Sequence, residues 1–136
     1  MDRILNVSDT SNAAIHALAF AAARGGRVTA SSCATELGLS PSYLAKVLQE
    51  LVRGGLLSST RGAAGGFELA REAAAISCLD VLSLVDGPLP ERSCLFREAV
   101  CATGGCALKA LCAEIAISVR RALESTTIAA IAASFA

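Results

Sequence analysis

Tryptophan is absent from this 136-residue chain, tyrosine, histidine and methionine occur once each, and aromatic residues make up only 4%. A chain so short of aromatics and so rich in alanine is expected to build its core from packed helices rather than sheets. Charge is also sparse, at 18% of residues, and it balances: 12 basic and 12 acidic side chains. The overall basic excess common in nucleic-acid binders is therefore missing. Its distribution is uneven, with seven basic and five acidic residues in 1–71 (+2) and five basic and seven acidic in 72–136 (−2). No stretch reaches the ~18 apolar residues of a membrane span. The apolar run at 13–23 follows Asp2, Asp9 and Asn12, where a secretory leader would be basic. These features predict a cytoplasmic protein with no membrane association. In that compartment six cysteines are expected to be metal ligands or redox thiols rather than disulfides. With a single histidine, no nucleophile–base set and no phosphate-binding glycine loop, an enzyme is not expected.

What is present is an ordered series of helix and turn signals. Residues 12–23 form an apolar helix ended by Gly25-Gly26. Val28-Thr29 reads as a short strand or turn. Ser31 or Ser32 then caps a short helix over 33–37, closed by Gly38. Ser40-Pro41 is a capping serine followed by proline at the first helical position. The helix it starts runs to about Arg53, with Leu44, Val47, Leu48 and Leu51 at amphipathic spacing. Residues 56–60 and 67–69 are strands around a glycine-bearing tip, which makes a β-hairpin. Ser77 caps a helix to about Val85, stopped by Asp86-Gly87-Pro88. Residues 88–105 have no regular pattern. A long helix is expected from about Cys106 to Glu124, and a short one over 128–133.

Helix, short helix, tight turn, helix and hairpin follow one another in the order of a winged helix-turn-helix. The expected fold is mainly α with a small β-hairpin wing, followed by a long C-terminal dimerisation helix. The helix from Pro41 takes the recognition role, presenting Ser40, Ser42, Tyr43, Lys46 and Gln49 to phosphates or base edges. Arg61 lies at the wing tip, where Gly62 and Gly65 permit close approach and an arginine suits a narrow minor groove. The competing reading is that these are ordinary solvated positions. Residues 1–75 are assigned to the DNA-binding domain, and 76–136 to a dimerising, cysteine-rich region. A winged helix of this size reads half a site, so the expected partners are a palindromic double-stranded DNA operator and a second copy of the chain. Leu108, Leu111, Ile115, Val119 and Leu123 supply the apolar stripe for that second copy.

Cys94, Cys101, Cys106 and Cys112 fall within nineteen residues, separated by six, four and five others. This is not the paired spacing of a zinc ribbon. Thiolates on a loop suit an iron–sulfur cluster, 2Fe-2S or 4Fe-4S, which is expected to be lost on aerobic purification. Cys112 is a candidate fourth ligand by element. However, a continuous helix from Cys106 would rotate ~600° and rise ~9 Å before reaching it, so the sulfurs would diverge. Cys33 and Cys78 sit in apolar helical patterns and read as buried structural thiols.

Residues 39–71 (LSPSYLAKVLQELVRGGLLSSTRGAAGGFELAR) and 76–87 (ISCLDVLSLVDG) resemble the Rrf2 family of winged-helix regulators, which includes iron–sulfur and nitric-oxide sensors. The resemblance spans nearly the whole chain. It implies a dimeric transcriptional repressor that senses redox state, nitric oxide or iron–sulfur status. It also implies that Cys94, Cys101 and Cys106 ligate the cluster, although the middle cysteine is shifted from the family pattern. Similar regulators vary the fourth ligand, and some take an acid or histidine from the first helix of the other subunit. Asn12 and His16 occupy the two corresponding places, four apart on one face, and Asp9 lies one turn earlier. Two departures are visible. Ala63-Ala64 replace proline and glycine in the wing. Ala45 stands where the family's regulator of iron–sulfur assembly has an acidic residue that gates its DNA choice. The alternatives are a cluster-free thiol/disulfide sensor and a ferredoxin-like electron carrier.

Overall fold

A computed structural model describes residues 7–63, 65–89 and 106–135. The first helix, α1 (Asp9–Arg24), carries an unbroken apolar side that includes Ala14, Leu18 and Phe20. It starts earlier than the expected residue 12 because Ser8 caps it, its Oγ accepting from Ser11 N–H at 3.0 Å. Gly25 ends it in the left-handed conformation (φ 69°) and donates its N–H to the last-turn carbonyls of Ala21 and Ala22. α2 (Ala30–Leu37) is capped by Thr29 rather than by Ser31 or Ser32. The Thr29 hydroxyl accepts from Ser32 N–H at 3.0 Å. α3 (Pro41–Arg53) buries Leu44, Val47, Leu48 and Leu51, as their spacing requires.

The hairpin pairs β1 (Leu57–Thr60) with β2 (Gly66–Leu69) in antiparallel register, from Leu57 opposite Leu69 to Thr60 opposite Gly66. Val28 adds a single bridge to Phe67 on the outer side of β2. A 3₁₀ turn (Ala73–Ala75) leads to α4 (Cys78–Asp86). That helix opens with a reciprocal cap: Asp80 N–H donates to Ser77 Oγ, and Ser77 N–H donates to Asp80 Oδ2, each at 3.0 Å.

α5 (Lys109–Ser125) begins three residues after the expected Cys106. Residues 106–108 make a turn, and Leu108 has no side chain with which to cap the helix. Because only residues from 109 onward are helical, the divergence of sulfurs calculated for a continuous helix from Cys106 does not hold. α5 lies against α4 and buries Cys112. Leu108, Leu111 and Ile117 are 45, 49 and 56% exposed, with Leu111 and Ile117 ~120° apart around the helix axis. Ile115, Val119 and Leu123 are half-buried, and Leu123 packs on the core.

α6 (Ile128–Ala132) returns to pack along α1. Its entry is fixed by an antiparallel bridge between Ser77 and Thr127, in which Cys78 N–H donates to Thr126 O and Ile128 N–H donates to Ile76 O, both at 2.9 Å. The main core therefore joins Leu18, Leu44, Leu48 and Leu51 with Ile76, Val81 and Ile128.

Candidate nucleic-acid interface and cysteine site

One side of α3 faces the core, and the other carries Ser42, Lys46 and Gln49, all exposed. They are spaced four and three residues apart and so share a face. Ser40 and Tyr43 are partly committed to the fold. Ser40 Oγ accepts the Tyr43 N–H at 3.2 Å, which leaves its own proton available as a donor. The half-buried Tyr43 donates its hydroxyl to Thr10 Oγ1 at 3.2 Å, which leaves its oxygen available as an acceptor. The first turn of α3 is thus anchored on α1.

The wing stands beside the C-terminal half of α3. Between them lies an open cleft lined by Gln49, Arg53, Ser59, Thr60 and Arg61, with Phe67 contributing apolar surface. Arg61 is exposed, and Gly62 follows it at φ 102°, a conformation that glycine tolerates and other residues rarely adopt. Gly65 N–H closes the turn onto Gly62 O at 2.9 Å. A side chain at Gly65 would collide with the carbonyl of Thr60. The tip is therefore narrow because its backbone approaches itself closely. Ala64 lies outside the described residues. Arg53 was not anticipated from sequence: a basic residue in the last turn of a helix reads as a partner for the helix dipole, and only the wing's position turns it into part of a cleft. Ser59 and Thr60 were missed for the same reason.

The cysteine site is only partly in view. Cys94 and Cys101 lie outside the described residues. Cys106 is half-exposed immediately before α5, whereas Cys112 is buried. Among the described residues, no three of His, Cys, Asp and Glu are gathered so as to hold a metal. Asp9 and Asn12 are exposed on α1, and His16 is half-buried. His16 Nδ1 lies 2.8 Å from Asn12 O. Because a carbonyl can only accept, Nδ1 carries the proton of this bond, and Nε2 is the other ring nitrogen. The ring also meets Phe135 edge-on, with centroids 6.4 Å apart. Cys33 and Cys78 are buried, and burial raises both thiols. Cys33 is pushed to about 11 by desolvation, with the Glu36 carboxylate adding to the effect. Neither is disposed to act as a thiolate.

Among the described residues no helix is long and apolar enough to cross a membrane. The model of the Rrf2 family, described as iron-dependent transcriptional regulators, matches residues 7–134. An HTH-type transcriptional regulator of Mycobacterium tuberculosis H37Rv is 36% identical over 112 residues, which are 82% of this chain and 70% of that protein. Among solved structures, CymR of B. subtilis, described as its global cysteine regulator, superposes with a TM-score of 0.79 at 28% identity, covering 95% of this chain and 97% of CymR. IscR of T. potens superposes with a TM-score of 0.71, also at 28% identity, covering 96% of this chain and 88% of that one. These relatives are regulators rather than enzymes, and their winged helical fold is the one described above. The chain belongs to the Rrf2 family of transcriptional regulators.

Proposed function

We propose that the chain is a cytoplasmic, homodimeric repressor that binds a palindromic operator and senses redox state, nitric oxide or iron–sulfur status through a cysteine-ligated cluster. The observation that carries the DNA-binding part is the cleft shared by α3 and the wing, where Gln49, Arg53 and Arg61 face a common opening. Ser42, Lys46 and Gln49 would enter the major groove, with Ser40 and Tyr43 at its edge. Arg61, Gly62 and Gly65 would follow the neighbouring minor groove. Residues 1–75 would read DNA. Residues 76–136 would join protomers and carry the cysteine segment, while Ile76, Val81 and Ile128 complete the core of the head. The exposed Leu108 and Leu111, which begin the stripe of α5, support that stripe as the surface that a second copy covers.

The donor set fits an iron–sulfur cluster: three thiols in one segment, of which Cys106 is half-exposed at the foot of α5. Cys94, Cys101 and Cys106 would hold it, with a fourth ligand from Cys112 or from His16, Asn12 or Asp9 of the other protomer. Of these, His16 has its Nδ1–H held by a backbone carbonyl, the arrangement that would leave Nε2 as the ligating atom. A bound cluster would supply a centre whose ligation responds to oxidants and nitric oxide. The chain's own part is mechanical: Cys106 leads directly into α5, so ordering its segment biases how two heads are set relative to each other. A cluster-free thiol sensor is the second reading, favoured by the likeness to CymR.

Anaerobic purification with iron and sulfide counts separates the two readings. Stoichiometric iron and sulfide with visible absorbance are expected, and their loss should change affinity for a duplex selected by the protein from a random pool. A colourless, iron-free protein that still responds to its signal would leave the thiol reading standing. Failure to select any duplex would remove the DNA-binding reading.

A further inference from the structure

Asp86, the last residue of α4, is bound to the first turn of α1 by three hydrogen bonds. Its Oδ1 accepts from Ser8 Oγ at 2.6 Å, and its Oδ2 accepts from Ser8 N–H at 3.1 Å and from Ser11 Oγ at 2.7 Å. Ser11 is the buried polar residue of the core, with no exposed surface. Ser8 is also the cap of α1. Between these two serines stands Thr10, whose Oγ1 accepts the hydroxyl of Tyr43 in the first turn of α3. The chain passes from Asp86 through Gly87 into the stretch that bears Cys94 and Cys101. One helical turn thus holds the end of α4 on one side and the DNA-facing helix on the other.

We propose that Asp86 is a positioning residue for Tyr43, setting the recognition helix through the first turn of α1. The inference rests on the DNA-binding reading above. Ser8, Thr10 and Ser11 belong to one hydrogen-bonded turn, so a shift of the carboxylate at Ser8 and Ser11 moves Thr10 with them. The carboxylate is required because three donors converge on its two oxygens. A carboxamide offers one acceptor oxygen and sets an amino group against a donor. The negative charge also suits the N-terminal end of α1.

The test uses the chain's single tyrosine and its lack of tryptophan, which make intrinsic emission a report on Tyr43 alone. Full-length Thr10→Val, Thr10→Ser, Asp86→Asn and the Thr10→Val/Asp86→Asn pair are compared at fixed salt. Two duplexes are used: one selected by the wild-type protein from a random pool, and an unrelated one of equal length. Thr10→Val and Asp86→Asn should change tyrosine emission in the same direction, and Thr10→Ser should restore it. Each of the two should weaken binding to the selected duplex by about three- to tenfold, as expected for one lost hydrogen bond. The pair should bind no more weakly than Thr10→Val alone. Wild-type emission in Asp86→Asn, or losses that multiply in the pair, would overturn the proposal. If Asp86→Asn does not fold, Ser11→Ala removes one of the three donors and is read in the same way. If no duplex is selected, the DNA reading fails separately, and emission alone decides the link between Asp86 and Tyr43.

Discussion

Val28 and Phe67 exchange both backbone hydrogen bonds, Val28 N–H to Phe67 O at 2.8 Å and Phe67 N–H to Val28 O at 2.7 Å. This pair ties the root of the wing to the segment between α1 and α2. The preceding Gly66 has φ 150°, and a Cβ there would lie 2.5 Å from Val28 O, a backbone atom with little room to move. Gly66→Ala is expected to destabilise the fold by about 1–3 kcal/mol, read as a lower urea midpoint at unchanged slope. It should also weaken DNA binding, because the wing moves with its root. A midpoint equal to that of the wild type would show that the bridge yields freely.

Lys46 and Arg61 carry charge on two sides of the proposed interface. If each neutralises a phosphate, Lys46→Ala and Arg61→Ala should reduce the slope of log affinity against log salt by about one. Gln49→Ala should leave that slope intact and change the preference among duplexes. Binding titrations at several salt concentrations on selected and unrelated duplexes distinguish the two effects. Unchanged slopes in both charge variants would place the phosphate backbone elsewhere.

The Cys33 thiol is held near 11 in the fold, against 9.0 for the unperturbed group. Below pH 9 both folded and unfolded chains keep the proton, so the group does not change stability. Between pH 9 and 11 the unfolded chain releases its proton first, and stability falls by on the order of 2 kcal/mol. A Cys33→Ala chain should lose less stability across this window than the wild type when urea midpoints at pH 8 and pH 11 are compared. At neutral pH, alkylation of the folded protein should modify the half-exposed Cys106 before Cys33 or Cys78. Equal losses in wild type and variant would mean that the thiol is less shielded than its burial implies.

Leu111→Glu places a charge in the exposed apolar surface of α5. If a second copy covers that surface, the variant should sediment as a monomer where the wild type sediments as a dimer. The head should keep its helical signal, because Leu111 is not part of its core. A variant that stays dimeric would move the contact to another face.

The helix-turn-helix and its hairpin were the most legible part of the sequence. Ser40-Pro41 starts α3 where expected, since a capping hydroxyl and a proline both favour one register, and the strands around the glycine tip pair as their pattern suggests. Capping was harder to read where hydroxyls crowd together. Thr29, Ser31 and Ser32 can each cap a helix, and only the backbone path selects Thr29. The polar run from Ser8 to Asn12 likewise concealed the start of α1, because Ser8 and Ser11 serve the cap and Asp86 rather than solvent. The foot of α5 was misread because Cys106, Ala107 and Leu108 are compatible with a helix by composition. Long-range pairings such as Thr10 with Tyr43 leave no local signature at all. For the cysteines, spacing and family likeness carry the reading, and Cys94 and Cys101 lie outside the described residues.

The antiparallel bridge at Ser77 and Thr127 encloses α4, the cysteine stretch and α5 between two neighbouring points of the head. α4 itself stays in the head, with Val81 in the core and Asp86 bound to α1, so the length of chain that can vary lies between Asp86 and α5. Closing a longer loop costs little extra entropy, since the cost grows only with the logarithm of length. Detectors of different size or chemistry can therefore be mounted on one unchanged DNA-reading frame.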